Sequence, residues 1–316
     1  MFILKDKKFI DTKFINEQEI EDLVIKYSEH FFGPSSIFIP KARIKTFDGF
    51  STIPDGFAID LSAHVWFLVE AELIHHSLWS HIVPQITKQL TSISRPETVQ
   101  LISEIVVKMI NDNPSIQEKF HDEGINTIDI RRVLTEILRS SPIVAIPIDD
   151  ISRDLEQWAR TLKNDVRLWV VKKYSEFGNS KNIAYEIPEE FSPTLEISEK
   201  QNVSRSGITV YSVSTIDLIQ AELLEPNQEL TLTYGPGRRN RRTYHAILNG
   251  DGSLTVNDNN FSSPSYAALY CIKEAGSDRE TVNGWTKWKT KDGESLSGIR
   301  NRYLEISELD DDKDDG

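Results

Sequence analysis

Two short apolar runs lie between Gly56 and Leu73, with polar residues between them, and this pattern predicts two short strands. The first reads GFAID over residues 56–60, and the second reads VWFLVEAEL over residues 65–73. Successive side chains of a strand point to opposite faces, so Glu70 and Glu72 share one face while apolar residues fill the other. The turn-like residues between the two runs predict a β-hairpin.

Acidic residues at one end of this hairpin are the first candidate chemistry. Asp55 immediately precedes the first strand, so pairing of the strands would bring Asp55 and Glu70 together. Burying neighbouring carboxylates is costly, and a divalent cation offsets that cost. The cluster offers oxygen ligands, no cysteine and no paired-histidine spacing typical of zinc, which favours Mg²⁺ or Mn²⁺. The alternative is that Glu70 and Glu72 form a solvated face at a sheet edge.

Helical periodicity flanks the hairpin on both sides. Residues 16–33 predict one amphipathic helix, and a second helix ends near Leu90 with Pro84 delaying or kinking its start. A helical insert follows over about 98–140, without residues that suggest chemistry. A buried strand over 142–149, a helix over 154–162 and a strand over 166–172 then complete an α/β domain that spans residues 1–190.

The remaining residues show a different pattern of apolar and turn-forming positions. The apolar pattern breaks over 191–206, which predicts a linker, and residues 207–305 alternate short strands with Gly- and Asn-rich turns. The acidic residues 306–316 predict a disordered tail.

Composition limits the class of protein. The chain has 316 residues, of which 39% are hydrophobic, so it can bury two cores. Its net charge of -13 argues against coating nucleic acid by bulk electrostatics. The single cysteine, Cys271, excludes an intramolecular disulfide and favours a buried thiol in a reducing compartment. The amino-terminal apolar run is too short for a signal peptide or membrane span, which predicts a soluble, cytoplasmic protein.

One local cluster of residues is basic, although the net charge of the chain is negative. Its members, which predict contacts to DNA phosphates, are Arg238, Arg239, Arg241 and Arg242. The alternatives are an ion-paired loop and a dock for the acidic tail.

The hairpin and its acids resemble the PD-(D/E)XK nuclease superfamily. Pro54-Asp55 matches the first element of its motif and Glu70-Ala71-Glu72 the second, while Glu72 stands where most members have lysine. The resemblance implies a restriction-endonuclease-like mixed sheet flanked by helices. It also implies that Asp55, Glu70 and the Ala71 carbonyl hold Mg²⁺ or Mn²⁺. Glu72 would be a second metal ligand, the base for the attacking water, or a sign of lost activity.

Further residues acquire roles from the same resemblance. Members carry polar groups on a helix after the second strand, and His75, His81 and Gln85 fit that pattern, with Lys88 continuing the stripe toward DNA. We expect His64 and His76 to be structural. A glutamate from the first helix often lies near the metals, and Glu21 is the candidate, with Glu17 as the fallback.

The carboxy-terminal residues resemble the RAMA domain, a small α+β module. The resemblance rests on FSSPSYAA at 261–268, NGWTKW at 283–288, DGESL at 292–296 and Ile299-Arg300. It implies recognition of modified DNA. Residues for a methyl-binding wall and for hydrogen bonds to a base edge are Trp285, Trp288, Ser263, Ser265 and Tyr266. The alternative is that the tryptophans are core and the serines cap a helix.

Together these features predict a metal-dependent DNA endonuclease of restriction or defence, directed to modified DNA by its second domain. One alternative is an inactive DNA-binding protein that keeps the nuclease fold as a scaffold. Another is a repair or defence nuclease for branched or single-stranded DNA. A homodimer would let such an enzyme cut both strands.

Overall fold

The computed structural model describes residues 1–45, 51–187, 213–234, 241–277 and 279–311. The chain divides into two compact units, Met1–Thr194 and Leu195–Gly316. The predicted linker, residues 191–206, lies outside the described residues. None of the described helices is both long and apolar enough to cross a membrane.

The first unit contains strands and helices in mixed order. Its strands are β1 (Phe2–Leu4), β2 (Lys7–Asp11), β3 (Ser36–Pro40), β4 (Ile44–Lys45), β5 (Ser51–Thr52), β6 (Gly56–Asp60), β7 (Val65–Val69), β8 (Ile143–Ile148), β9 (Val166–Val170), β10 (Lys172–Glu176) and β11 (Asn179–Glu186). Its helices are α1 (Glu17–Lys26), α2 (Ser28–Phe32), α3 (Val83–Ile93), α4 (Pro96–Asp112), α5 (Pro114–Asp122), α6 (Ile130–Arg139) and α7 (Arg153–Ala159). A π-helical turn, Leu78–Ile82, leads directly into α3.

A five-stranded mixed sheet forms the centre of this unit, with the order β3-β6-β7-β8-β9. The first three strands are antiparallel, and β8 and β9 run parallel to β7. The predicted hairpin is therefore present as β6 and β7. Strands β6 and β8 are buried along their whole length, as expected for a sheet covered on both faces.

Two apolar clusters cover the sheet. One joins residues of β3, β6 and β7 to the insert helices, with Phe120 and Leu134 fully buried. The other joins β8 to α3 and α7 through Ile86, Ile146 and Trp158. Burial of each such side chain stabilises the fold by about 1.5–3 kcal/mol, so these clusters stabilise the central sheet.

Three details of the first unit differ from the sequence expectations. Residues 16–33 form two helices, because the backbone at Tyr27 leaves the helical region with φ -115°. The insert contains three α-helices, since Pro114 starts a new one. A second sheet, β1-β2-β10-β11, was not predicted. Its strand β2 buries only Phe9, so its residues show no apolar alternation.

The second unit is a small α+β fold. Its strands are β12 (Glu229–Tyr234), β13 (Arg242–Leu248), β14 (Leu254–Val256) and β15 (Asn259–Phe261), paired in that order as an antiparallel sheet. Its helices are α8 (Thr215–Gln220), α9 (Pro264–Glu274), α10 (Gly284–Lys287) and α11 (Leu296–Asp311). Residues 306–311, predicted as part of a disordered tail, continue α11, because Ile306 and Leu309 extend its helix-forming sequence among the acids. Burial raises the pKa of the Cys271 thiol to about 12, which supports its structural role.

Candidate functional site

The hairpin brings Asp55 and Glu70 together, as predicted. Gly56 pairs with Val69 in this antiparallel hairpin. The residue before Gly56 and the residue after Val69 therefore lie at the same end of the pair. The backbone N–H of Ala71 donates to Asp55 Oδ2 over 2.9 Å, and the Asp55 N–H approaches Glu70 Oε2 at 3.5 Å. These two acids therefore form one site.

Strand β8 fixes the backbone that carries the acids. The N–H of Glu70 donates to Ala145 O at 3.0 Å, and the N–H of Glu72 donates to Pro147 O at 2.9 Å. Both glutamates are only 1% exposed. The acids are thus held rigidly in the sheet and are not a solvated edge.

Helix α3 presents two amides to Glu70. Gln85 Nε2 donates to Glu70 Oε1, and Gln89 Nε2 donates to Glu70 Oε2 at 2.7 Å. The structure thus places Gln85 beside the acids, and its role at a metal site stays a prediction. Lys88, expected on the same stripe, is exposed, and Gln89 occupies that place, because Gln89 is four residues after Gln85.

Lys41 supplies a positive charge that the sequence analysis missed. Its Nζ lies 2.5 Å from Glu21 Oε2 and 4.0 Å from Asp55 Oδ1. Pro40 pairs with Gly56, so the residue after β3 lies beside the residue before β6. Only the pairing of β3 with β6 reveals this neighbour, and the sequence analysis predicted no strand at the position of β3. Glu21, the predicted helix glutamate, is accordingly buried beside the site.

A second group of ligand-type atoms surrounds Glu72. His76 Nδ1 lies 3.0 Å from Glu72 Oε2, and His81 Nε2 lies 3.6 Å from Glu72 Oε1. Glu17 Oε1 contacts His76 Nδ1 and lies 3.6 Å from His81 Nε2. His81 therefore faces Glu72 and Glu17, whereas the resemblance implied a position beside the metal held by Asp55 and Glu70.

The histidine assignments need two corrections. His76, expected to be structural, contacts Glu72, and His75, expected at the site, is exposed. Ile74 to Ser77 form a turn, so no period in the sequence shows which histidine points inward. The sequence analysis was also wrong to find no zinc-type spacing. Four residues separate His76 from His81, within the three to five that typically separate zinc-binding histidines, and both imidazoles lie within reach of the same acids.

The acids prefer to be neutral. Burial raises the pKa of Asp55 to about 7, and the Glu21 charge adds to this effect, while the Ala71 N–H and Lys41 oppose it. Burial and the Asp55 charge also hold the pKa of Glu70 well above its usual range. Burial raises the pKa of Glu72 to about 9, with contributions from the adjoining Glu17. A cation placed among these groups would stabilise their charged forms.

Basic residues near the carboxy-terminal sheet are described only in part. Arg241 and Arg242 are exposed, and Arg242 begins β13. Arg238 and Arg239 lie outside the described residues.

The residues expected to recognise a modified base have mainly structural contacts. Trp285 and Trp288 are 2% and 0% exposed, so neither presents a face to a base. Trp288 Nε1 donates to Pro264 O at 3.0 Å, which explains its burial. The expectation of a tryptophan wall is therefore wrong for this conformation.

The polar members of that predicted group divide in the same way. Ser263 caps α9 by accepting from the Tyr266 N–H, and Ser265 Oγ accepts from the Gly284 N–H. Tyr266 is 44% exposed, and Ser263 and Ser265 are half-buried.

Comparison with known families finds a match within the second unit. Residues 196–308 match the model of RAMA, Restriction Enzyme Adenine Methylase Associated. The carboxy-terminal resemblance is thus confirmed, and it links the chain to restriction-modification systems. The match begins at residue 196, inside the predicted linker, and residues 1–195 lie outside it. No curated protein matches the chain.

Proposed function

We propose that this protein is a metal-dependent DNA endonuclease whose RAMA domain directs it to modified DNA. The observation that carries the proposal is the pairing of Asp55 and Glu70 at one end of the β6-β7 hairpin. The mixed five-stranded sheet, flanked by helices, supports a restriction-endonuclease-like fold for the first unit.

The donor set around Asp55 and Glu70 fits a hard divalent cation. Both side chains end in carboxylate oxygens, and their burial together is costly without a cation. Asp55, Glu70 and the Ala71 carbonyl would hold Mg²⁺ or Mn²⁺, and Glu21 adds negative charge close by. The chemistry supplied by an ion there is polarisation of the scissile phosphate and a lower pKa for a bound water.

The chain's own groups would orient the reaction. Gln85 and Gln89 hold the Glu70 carboxylate in one rotamer through both of its oxygens. Lys41 would stabilise negative charge on the attacked phosphate and so supply a positive charge at a site where Glu72 replaces the usual lysine. Its ammonium is already drawn to this edge by Glu21, whose contact raises the pKa of Lys41.

The exposed ring of Trp79 supports nucleic acid as the substrate. Trp79 is 66% exposed on the π-helical turn, two residues before His81. An exposed tryptophan is a stacking surface for a base that leaves the duplex, worth about 1–3 kcal/mol per base.

Plasmid cleavage with Mg²⁺ tests the proposal. We expect the full-length protein to cut adenine-methylated and unmethylated plasmid at different rates, and the Asp55→Ala, Glu70→Ala double variant to lose cleavage. Lys41→Met should slow cleavage by roughly 100-fold or more, the usual contribution of a positioned catalytic group. Lys45→Met is the matched control, because Lys45 is exposed on β4. Undiminished cutting by the double variant would overturn the proposal.

The second candidate is a DNA-binding protein that retains the sheet as a scaffold. Glu72 in the position of the usual lysine is the observation that favours it. In that case DNA binding persists in the double variant, and the unmodified protein cuts no plasmid with Mg²⁺ or Mn²⁺. A nuclease for branched or single-stranded DNA would instead cut those substrates without regard to methylation.

A further inference from the structure

We propose that Glu17, Glu72, His76 and His81 bind one transition-metal ion of the Zn²⁺ type, at a site distinct from the Asp55 and Glu70 pair. The inference rests on the positions of four side chains and does not depend on nuclease activity. It assigns Glu72 a ligand role, whereas the nuclease motif would place a lysine there.

The spacing of the ligand atoms fits a common ion. One atom from each of the four residues lies within 4.8 Å of every other. The nitrogen-to-oxygen separations of His76 and His81 from Glu72 are 3.0 and 3.6 Å. A tetrahedral ion with bonds of about 2.0–2.2 Å sets its ligand atoms roughly 3.3–3.6 Å apart. The four side chains therefore lie close enough together to share one such ion.

One carboxylate oxygen in the group, on Glu17, lacks a hydrogen bond in the described part of the chain. Glu17 Oε1 is buried and accepts no hydrogen bond in the described part of the chain, although both imidazole nitrogens lie close to it. A buried oxygen that meets nitrogen atoms outside hydrogen-bond geometry is costly. Coordination of a shared cation would satisfy this oxygen together with Glu72.

The backbone holds all four positions. Asn16 caps α1 through the Glu19 N–H and so fixes its first residue, Glu17. Strand β8 holds Glu72, and the N–H groups of His76 and His81 donate to Leu73 O and Ser77 O at 2.9 Å each. A site held in this way loses little conformational entropy when an ion binds.

The ligand types select the ion. Two imidazole nitrogens with two carboxylate oxygens suit Zn²⁺ and neighbouring first-row metals, whereas Mg²⁺ prefers oxygen ligands alone. The side chain of His81 is 47% exposed, so an ion has a path from solvent. The two candidate sites should therefore differ in metal preference.

Metal binding by the full-length, chelator-treated protein tests this proposal without DNA. We expect calorimetry to show Zn²⁺ bound at the imidazole site, and Co²⁺ to give the visible absorption of a tetrahedral complex. His76→Ala, His81→Ala and the isosteric Glu72→Gln should each weaken Zn²⁺ binding by more than the roughly 10–100-fold typical of outer-shell partners. Circular dichroism checks that each variant is folded.

Two controls make the outcome decisive. His121→Ala alters an exposed histidine of α5 and should leave Zn²⁺ affinity unchanged. The Asp55→Ala, Glu70→Ala variant should also keep the Co²⁺ absorption, even if it cuts no DNA. Zn²⁺ affinity that is unchanged in the His76→Ala, His81→Ala double variant would overturn the proposal, as would affinity that falls only with Asp55 and Glu70.

Discussion

The buried acids make metal-free stability depend on pH. The unfolded pKa values of Asp and Glu are about 3.9 and 4.3, whereas those of folded Asp55 and Glu72 are about 7 and about 9. Between these values the folded state binds more protons than the unfolded state, so stability falls as pH rises through that window. Below the unfolded values both states are protonated and the penalty is absent.

Glu72→Gln should remove part of this dependence. In chelator, we expect the loss of Tm between about pH 5 and pH 8 to be smaller in the variant by at least ~2–4 °C, the shift that about 1 kcal/mol produces. Thermal denaturation across pH provides the measurement. Glu104→Gln, at an exposed position of α4, should match the wild type. Equal pH slopes for Glu72→Gln and the wild type would contradict the assigned burial.

Among these residues, the sequence predicted the contacts that follow from strand geometry. Asp55 and Glu70 were placed correctly because a two-residue period and a tight turn determine which residues oppose each other. Lys41 was missed because its neighbour is set by the pairing of β3 with β6. His76 was misjudged because side-chain direction in a turn depends on local backbone angles, which no periodic pattern reports.

At the element scale, the prediction succeeded where an element has one buried face or an obvious terminator. The hairpin, the late start of α3 at Pro84 and the buried strand β8 all follow from such signals. The π-helical turn has no sequence signature, yet its wider turn sets the position of His81 ahead of the glutamines of α3. The second sheet of the first unit, β1-β2-β10-β11, was missed because most of its side chains are exposed to solvent.

Close packing of α10 against the start of α9 gives a test of the second unit. A Cβ atom on Gly284 would lie 2.1 Å from Pro264 O, which is backbone and has little freedom to move. We expect Gly284→Ala to destabilise this unit by about 1–3 kcal/mol or more in chemical denaturation.

Gly298→Ala is the matched control. Its added Cβ would lie 3.4 Å from the flexible Glu294 side chain, within helix α11. Replacing a helical glycine by alanine should stabilise the unit by up to about 1 kcal/mol. Shifts of the same sign in the two variants would show that the contact at Gly284 is not a constraint.

At the scale of the whole molecule, candidate chemistry and family match fall on different units. The acids and histidines belong to Met1–Thr194, and the RAMA match covers residues 196–308. The sequence suggested this division because its predicted elements change from those of an α/β domain to short strands and turns. The tryptophans misled because burial and base stacking favour the same residue type, and only packing distinguishes them.

Arg241 and Arg242 should contribute to DNA binding in spite of the net charge of -13. We expect the Arg241→Ala, Arg242→Ala variant to lower the slope of log affinity against log salt by about 2, or roughly one per lost phosphate contact. Fluorescence anisotropy with duplex DNA measures this slope. Arg302→Ala, which removes an exposed arginine paired with Glu294, should leave it unchanged. A slope that both variants alter equally would assign the effect to overall charge.

The hydrogen bonds from Glu70 and Glu72 to β8 also bear on the order in which the protein matures during synthesis. Every candidate ligand lies within the first 89 residues, yet the carbonyl groups that fix two of them belong to Ala145 and Pro147. A growing chain therefore displays its complete set of acids and histidines some sixty residues before it can arrange them. The ribosome-bound chain would therefore lack an ordered ion site until β8 has been synthesised.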